Sequence, residues 1–246
     1  MLYILAAIPA AFLLYVLFLG VCCLFIDPQK EYDKDSPFYR FLLDSATAAA
    51  IKLLRIRVHI SGAENIPKDA KVLFVSNHRS NFDPIITWYA LKKWKLAFVS
   101  KPSNFKIPFF GRIIRKCCFL PIDRKNPKKA IVTINKAAKL LKEQEVSVGI
   151  YPEGTRSKTC VLLPMHNGVF KVAQKAEAPI VVLSITGTEK ISGRTPFRPT
   201  DVYLDVLEVF PGENIKNMKT EMIGVLVRHL MAGNIEKRDA AWQKDM

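Results

Sequence analysis

A histidine and an aspartate stand five residues apart in the stretch "SNHRSNFDP", residues 76–84. His78 is a candidate base, because a neutral imidazole titrates at about pH 6.5 and can accept a proton from an alcohol. Asp83 is a candidate partner, since a carboxylate bonded to one ring nitrogen fixes the tautomer and stabilises the imidazolium. Both also have structural interpretations: Asp83 before Pro84 suits a helix N-cap, and His78 could be an ordinary imidazole. Their position directly after an apolar run favours the catalytic interpretation.

A second polar cluster, "YPEGTRS" at residues 151–157, also follows an apolar run. Glu153, Gly154, Thr155 and Arg156 combine a planar bidentate cation with a flexible backbone and a hydroxyl, which suits a phosphate monoester. The alternative is an ordinary turn whose arginine pairs with the glutamate. The segment is not a Walker loop, because the G-x-x-x-x-G-K-[ST] pattern is absent.

A third stretch, "KPSNFKIPFFGRIIRKCCFLPIDR" at residues 101–124, interleaves basic and aromatic side chains. The chain carries a formal charge of +15, from 37 Lys and Arg against 22 Asp and Glu, so an anionic partner is expected. The partner suggested by the charge is a nucleic acid, an acidic bilayer surface or a phosphorylated substrate, and the alternative is a generally basic, soluble surface. Residues 101–124 suit nucleic-acid binding, a groove where an anionic head group meets an acyl tail, or contact with a bilayer surface. Zinc-finger spacing, a basic zipper and an aromatic RNP stretch are absent, which disfavours a nucleic acid.

The N-terminal residues 2–26 carry no charge. As a helix they extend about 37 Å, enough to cross a hydrocarbon core of about 30 Å. A cleaved signal peptide is disfavoured, because no positive charge precedes the run. Pro9 and Gly20 allow a partly embedded helix instead, and residues 38–54 suit a second helix at the interface. Basic residues after the run place the body on the cytoplasmic face of the membrane.

The remaining chain alternates short apolar runs with helical patterns, which predicts an α/β fold with a mixed sheet flanked by helices. Strands are expected at 72–76, 96–100, 118–122, 146–151, 180–185 and 202–210, the last an edge or half-exposed strand. Helices are expected at 84–93, 127–141, 167–176 and 217–233. The domain boundaries follow: a membrane-associated helical segment at 1–58, a main domain at 59–233 and a frayed polar tail at 234–246. The five cysteines show no CxxC or Cys/His clustering, so we expect a reducing compartment and no structural metal.

At these stretches the sequence resembles the 1-acylglycerol-3-phosphate acyltransferases of the glycerolipid acyltransferase superfamily. "NHRSNFD" is similar to the first block of that family, N-H-x(4)-D, and "KIPFFGRIIRKCCFLPIDR" to the second. "YPEGTRS" resembles the third block, usually F-P-E-G-T-R-S, and "APIVVL" at 178–183 the fourth. Tyr151 replaces the usual Phe, and "MHNGVF" at 165–170 replaces a more basic run.

The resemblance implies a role for each matching residue. His78 would be the general base and Asp83 its partner. Glu153, Gly154, Thr155 and Arg156, together with Lys101 and Arg124, would hold the phosphate of the acceptor. Gly111 and Pro179 would shape the acceptor and acyl site.

The resemblance also implies an activity: transfer of an acyl chain from acyl-CoA or acyl carrier protein to the sn-2 hydroxyl of lysophosphatidic acid. A sister acyltransferase acting on glycerol-3-phosphate or another lysophospholipid is the first alternative. A catalytically silent lipid-binding protein at the membrane is the second. No cofactor and no nucleic acid would take part, and the partners would be the phospholipid bilayer, the acceptor lipid and the acyl donor.

Overall fold

The computed structural model describes residues 2–195 and 197–244, with side chains from residue 13 to residue 241 apart from residue 196. The α-helices are α1 (Leu2–Leu24), α2 (Pro37–Leu53), α3 (Asp83–Ala90), α4 (Phe110–Lys116), α5 (Pro127–Lys142), α6 (Lys171–Ala176), α7 (Ile191–Arg194), α8 (Gly212–Ile215) and α9 (Thr220–Lys244). The strands are β1 (Ile56–Ser61), β2 (Leu73–Ser76), β3 (Leu96–Ser100), β4 (Leu120–Pro121), β5 (Ser147–Ile150), β6 (Ile180–Thr186) and β7 (Thr200–Phe210). Short 3₁₀ turns occur at 63–65, 92–94, 102–106, 167–170 and 188–190.

The strands form one sheet in the order β1-β7-β6-β2-β5-β3-β4. Neighbouring strands are parallel except β6 and β7, which run antiparallel, so the sheet is mixed as predicted. The central strands β2, β5 and β6 are buried throughout. This burial explains why they read as continuous apolar runs rather than alternating ones.

Helices cover both faces of the sheet. From β2 to β3 and β4 the chain moves outward across the sheet, and from β4 to β5 and β6 it moves back. Because crossovers between parallel strands are right-handed, α3 and α4 lie on one face and α5 and α6 on the other. α2 contacts α3 and α4, whereas α9 packs along β6 and β7.

The topology brings five loops to one edge of the sheet. β2, β3, β4, β5 and β6 all run in the same direction, so their carboxyl ends meet there. The polar stretches that begin at residues 77, 101, 122, 151 and 187 therefore leave the same edge. Such an edge is where α/β proteins place their functional loops.

The predicted elements are confirmed in type, with differences at their ends. All six predicted strands are present, and β7 is half-exposed rather than an edge strand, because β1 pairs along its outer side. Sequence reasoning missed β1, α4 and the short helices α7 and α8. The final helix was predicted to end at residue 233 before a frayed tail, whereas α9 continues to Lys244. Residues 245 and 246 lie outside the described part of the chain.

The N-terminal segment contains the two expected helices, α1 and α2, but its last residues, 56–58, belong to strand β1 of the sheet. The Arg112 guanidinium donates to the carbonyl of Cys23 at 2.9 Å, and the Tyr39 hydroxyl donates to that of Cys22 at 2.8 Å. Large apolar side chains on the outer side of α1 are exposed, among them Leu14 and Leu24. Nowhere in the described residues is there a helix with both the length and the apolar character needed to cross a membrane.

Candidate active site

The ring of His78 and the carboxylate of Asp83 are hydrogen-bonded, with Nδ1 and Oδ2 2.7 Å apart. His78 lies in the loop after β2, and Asp83 is the first residue of α3. The Asp83 side chain is fully buried, whereas 15% of the His78 side chain remains exposed. Since an ionised carboxylate has no hydrogen to donate, Nδ1 donates and a neutral ring leaves the Nε2 lone pair free. The pair can therefore accept a proton at Nε2.

Asp83 accepts hydrogen bonds at both carboxylate oxygens. Besides the His78 ring, Oδ2 accepts the backbone N–H groups of Arg79 and Ser80, both at 2.7 Å. Oδ1 accepts the hydroxyl of Thr188, which is fully buried beyond the end of β6. No side-chain bond caps the amides of α3 itself. The N-cap interpretation is therefore wrong: the carboxylate turns back onto the loop that carries the histidine.

Glu153 joins this loop to the segment after β5. Its Oε1 accepts the backbone N–H of His78 at 2.7 Å, and its Oε2 accepts that of Leu163 at 2.8 Å. The N–H of Ser157 donates to the carbonyl of His78 at 2.8 Å, which makes a second link. Burial raises the pKa of Glu153, and the two amide bonds offset only part of that effect. A buried carboxylate with both oxygens occupied would repel a phosphate, so we replace the expected phosphate role by one in positioning the loop.

A cavity of about 350 Å³ opens beside Tyr151, whose ring stacks on the His78 ring with centroids 4.3 Å apart. Its aliphatic wall comes from β3, β5, the segment after β4, helix α5 and the 3₁₀ turn at 167–170: Val99, Ile122, Ile131, Ile134, Ile150 and Val169. Its polar lining includes Arg124, Gly154, His166, Lys171 and Lys175. The described residues contain no cluster of three or more His, Cys, Asp or Glu that could hold a metal ion.

Gly154 places the backbone of the third block against two of these cavity side chains. Its φ is +69°, and a Cβ there would lie 2.9 Å from Cδ2 of His166 and 3.7 Å from Cδ of Arg124. Burial lowers the pKa of Arg124. Among the described residues Arg124 has neither a hydrogen bond nor an ion pair. The guanidinium is therefore available to an anionic group that enters the cavity.

The remaining predicted phosphate ligands are exposed around this edge. Thr155 and Arg156 lie on the segment that Glu153 and Ser157 tie to the histidine loop. Lys101 is exposed directly after β3. The structure gives these three side chains no partner within its described residues, and their phosphate roles remain predictions.

Gly111 and Pro179, which were expected to shape the site, are not among the described residues that line the cavity. A Cβ on Gly111 would lie 2.4 Å from the carbonyl oxygen of Phe105, so this glycine lets α4 approach the turn before it. Pro179 precedes the first residue of β6 and its carbonyl accepts the N–H of Leu73 at 2.9 Å. The seven residues of β6 separate it from the loop edge by about 20 Å. Both roles in shaping the site are therefore corrected to structural ones.

Three further residues contribute to the site and were not assigned a role from the sequence. The side-chain amide of Asn77 donates to the carbonyl of Ile185 at 2.9 Å and accepts its N–H at 2.8 Å, which extends the pairing of β2 with β6. Thr188 holds Asp83, and His166 lines the cavity. The sequence features that could have indicated two of them are the asparagine of the N-H-x(4)-D block, which is Asn77, and the histidine in the unusual "MHNGVF" run, which is His166.

The chain is similar in sequence to known proteins. The sequence profile of the family described as Acyltransferase matches residues 57–186. The 1-acyl-sn-glycerol-3-phosphate acyltransferase LPAT1 of Arabidopsis thaliana chloroplasts is 32% identical over 190 residues, covering 76% of this chain and 51% of its own. The 1-acyl-sn-glycerol-3-phosphate acyltransferase of Salmonella typhimurium is 29% identical over 170 residues, covering 68% of each chain. The chain thus spans about half the length of the plant relative.

A solved structure shares the fold. The crystal structure of the 1-acyl-sn-glycerophosphate (LPA) acyltransferase PlsC from Thermotoga maritima superposes with a TM-score of 0.72 at 24% identity. The match covers 92% of this chain and 89% of that one. The architecture of the sheet and its helices is therefore a known one.

Proposed function

The chain belongs to the acyltransferase family, and from that premise we propose that it transfers an acyl group from an acyl thioester to the sn-2 hydroxyl of lysophosphatidic acid. The observation that carries this proposal is the hydrogen-bonded pair of His78 and Asp83, whose imidazole stacks on Tyr151 in the wall of a cavity with aliphatic and cationic side chains. A lysophosphatidic acid has both kinds of surface, an acyl chain and a phosphate. The names of the similar proteins in Arabidopsis and Salmonella support the choice of acceptor.

In the proposed reaction, Nε2 of His78 removes the proton of the acceptor hydroxyl as its oxygen attacks the thioester carbonyl. The imidazolium that forms is stabilised by Asp83, whose orientation is fixed by its other hydrogen bonds. The tetrahedral intermediate collapses with loss of thiolate, which takes up the proton. The acceptor oxygen is itself the nucleophile, so no acyl-enzyme is formed. A thioester is already activated, and the proposal requires no cofactor.

Arg124 is proposed to bind the phosphate of the acceptor, with Arg156 and Lys101 as further ligands. Arg124 is preferred because it lines the cavity, has no described anionic partner and lies against the backbone of Gly154. A bound phosphate restores the interactions that its partly buried cation lacks. Holding the phosphate fixes the hydroxyl near His78, which is worth several kcal/mol of the barrier at most.

Attachment to a membrane is proposed because the acceptor and the product both carry acyl chains. Exposed apolar side chains on α1, α2 and the 107–110 loop provide a surface for contact with lipid. Exposed basic residues on the 101–106 segment favour an anionic lipid surface. We propose the cytoplasmic face for the catalytic domain, because basic residues follow the apolar N-terminal run, and acyl-CoA or acyl carrier protein as the donor.

The proposal is tested by thiol release from acyl-CoA, measured with and without lysophosphatidic acid. Release should depend on the acceptor, be abolished by His78→Ala, and be accompanied by phosphatidic acid. Glycerol-3-phosphate and other lysophospholipids serve as competing acceptors, and a clear preference for one of them would reassign the enzyme to a sister activity. Turnover that persists in a folded His78→Ala variant would remove this residue from the base role.

The same assay tests the phosphate site. Arg124→Ala should raise the acceptor KM with little change in the donor KM, and Arg156→Ala should act in the same direction. Lys158→Ala is a matched control, because it removes an exposed cation from the same segment as Arg156. A change in donor KM alone would mean that these arginines bind the donor instead.

A further inference from the structure

The residue next to the candidate base is a buried arginine that reaches the C-terminal helix. Only 2% of the Arg79 side chain is exposed. Its Nη1 and Nη2 atoms donate to the two carboxylate oxygens of Asp239, at 3.2 and 3.0 Å, and Glu189 lies 3.8 Å away. Burial disfavours the charged guanidinium, but the ion pairs with Asp239 and Glu189 outweigh it, so the pKa of Arg79 is raised.

This guanidinium depends on Asp239 for its hydrogen bonds. Within the described residues its Nε atom has no partner, and Glu189 is too distant for a hydrogen bond. Without Asp239 the buried Arg79 charge would keep Glu189, 3.8 Å away, as its described ion-pair partner but would have no described hydrogen bond, and a buried charge that loses its hydrogen bonds is destabilising. Loss of Asp239 would therefore drive the Arg79 side chain toward water, and the backbone would have to follow.

The backbone of Arg79 and Ser80 fixes the position of Asp83 in the candidate site. The N–H groups of Arg79 and Ser80 hold Oδ2 of Asp83, and His78 directly precedes them. A shift of the Arg79 backbone changes the orientation of Asp83 toward the histidine ring. A misplacement of about 1 Å at such a site can cost on the order of 100-fold in rate.

We propose that Asp239 is a positioning residue, through which the last turns of α9 hold the loop of residues 78–80 in its active geometry. α9 is itself fixed two turns from its end, because Arg238 and Asn234 donate to the buried Asp205 of β7. The helix thus contacts Asp205 of the sheet at one point and, through Asp239, the loop at another. This inference rests on the proposed function for its effect on rate, but not for its effect on the loop.

The test compares Asp239→Ala, Asp239→Asn and Asp239→Glu with the wild type. Glu236→Ala is the matched control, since it removes an exposed acid from the same helix without a described contact to the loop. The measurements are kcat and both KM values, the melting temperature, and hydrogen–deuterium exchange of peptides that cover residues 77–83. Asp239→Asn, which removes only the charge, supplies the answer if Asp239→Ala does not fold.

We expect kcat of Asp239→Ala to fall roughly 10- to 100-fold at temperatures where the protein is folded, with both KM values within about 2-fold. Asp239→Glu should recover most of the rate, and Glu236→Ala should behave as wild type. The 77–83 amides should exchange faster in Asp239→Ala than in the control. Unchanged kcat and unchanged exchange in a folded variant would overturn the inference. A wild-type chain without acyltransfer would instead count against the proposed function, and the exchange data would still decide the role of Asp239.

Discussion

Asp83 collects hydrogen bonds from separate parts of the chain, and this explains how one short motif becomes a site. Its Oδ2 accepts hydrogen bonds from the histidine loop after β2, and its Oδ1 accepts the hydroxyl of Thr188 from the loop after the neighbouring strand β6. A carboxylate held at both oxygens cannot rotate away from His78. The orientation of the base is therefore a property of two loops, those after β2 and β6, rather than of the motif alone.

At the residue scale we predict that Thr188→Val lowers kcat about 10-fold while Thr188→Ser stays near wild type. Valine keeps the shape of threonine but leaves the buried Oδ1 of Asp83 without its described partner, which costs about 1–3 kcal/mol. Steady-state kinetics of the two variants measure kcat, and their melting temperatures show whether both variants are folded. Equal activity of the valine and serine variants would show that the hydroxyl does not contribute.

Sequence reasoning succeeded where a residue's chemistry could be read from its neighbours in the chain. The pairing of His78 with Asp83 was predicted from their spacing of five residues and their position directly after an apolar run. Glu153 was assigned to a phosphate because the sequence shows its neighbour Arg156 but not the amides of His78 and Leu163, which are 75 and 10 residues away. Long-range hydrogen bonds of this kind leave no local pattern.

Helix α9 is the element whose role differs most from expectation. Its last turns are polar, and a polar stretch at the end of a sequence resembles a frayed tail. In the structure these polar residues face other polar residues: Arg238 and Asn234 meet Asp205, and Asp239 meets Arg79. The helix is therefore held at this end by ion pairs whose partners in the body of the protein, Arg79 and Asp205, are buried.

At the element scale we predict that the contact of α9 with β7 makes the fold sensitive to acid. Burial raises the pKa of Asp205, but its bonds with Arg238, Ser61 and Asn234 outweigh this effect, so the pKa is lowered. Because the folded pKa lies below the unfolded value of about 3.9, the stabilisation is complete above that value and is lost as pH falls through the folded pKa.

Asp205→Asn should therefore be less stable than wild type by about 1–3 kcal/mol at pH 7, and this difference should shrink below about pH 4. Urea unfolding between pH 3 and pH 7 measures it, with Glu236→Gln as the control for an exposed acid. A difference that is the same at every pH would show that the ionised carboxylate is not the cause.

The molecule as a whole combines an exposed apolar surface with a strongly positive net charge. The outer side of α1 and the 107–110 loop expose apolar side chains, including Leu17, Leu24, Phe109 and Phe110. The chain as a whole carries a formal net charge of +15. Large exposed apolar patches of this kind mark interaction sites.

At this scale we predict that the protein binds phospholipid vesicles, and that Leu17→Ser with Leu24→Ser weakens binding on the order of 10-fold or more. Each leucine loses about 1 kcal/mol or more of apolar burial. Val161→Ser, an exposed apolar residue after the third block, is the control. Cosedimentation should also weaken with added salt on vesicles of anionic lipid. Vesicle binding that changes neither in the leucine variants nor with added salt would contradict the membrane proposal.

The sequence by itself determined the alternation of strands and helices, the uncharged N-terminal helix and the identity of the candidate base with its partner. These follow from periodicity and local spacing, which are properties of neighbouring residues. Only the tertiary structure decided which loops meet at one edge, that Pro179 lies at the opposite edge, and that Thr188, Glu153 and Asp239 hold the histidine loop. The reason is that strand order and buried hydrogen bonds join positions up to 160 residues apart, and no local pattern encodes which of them will meet.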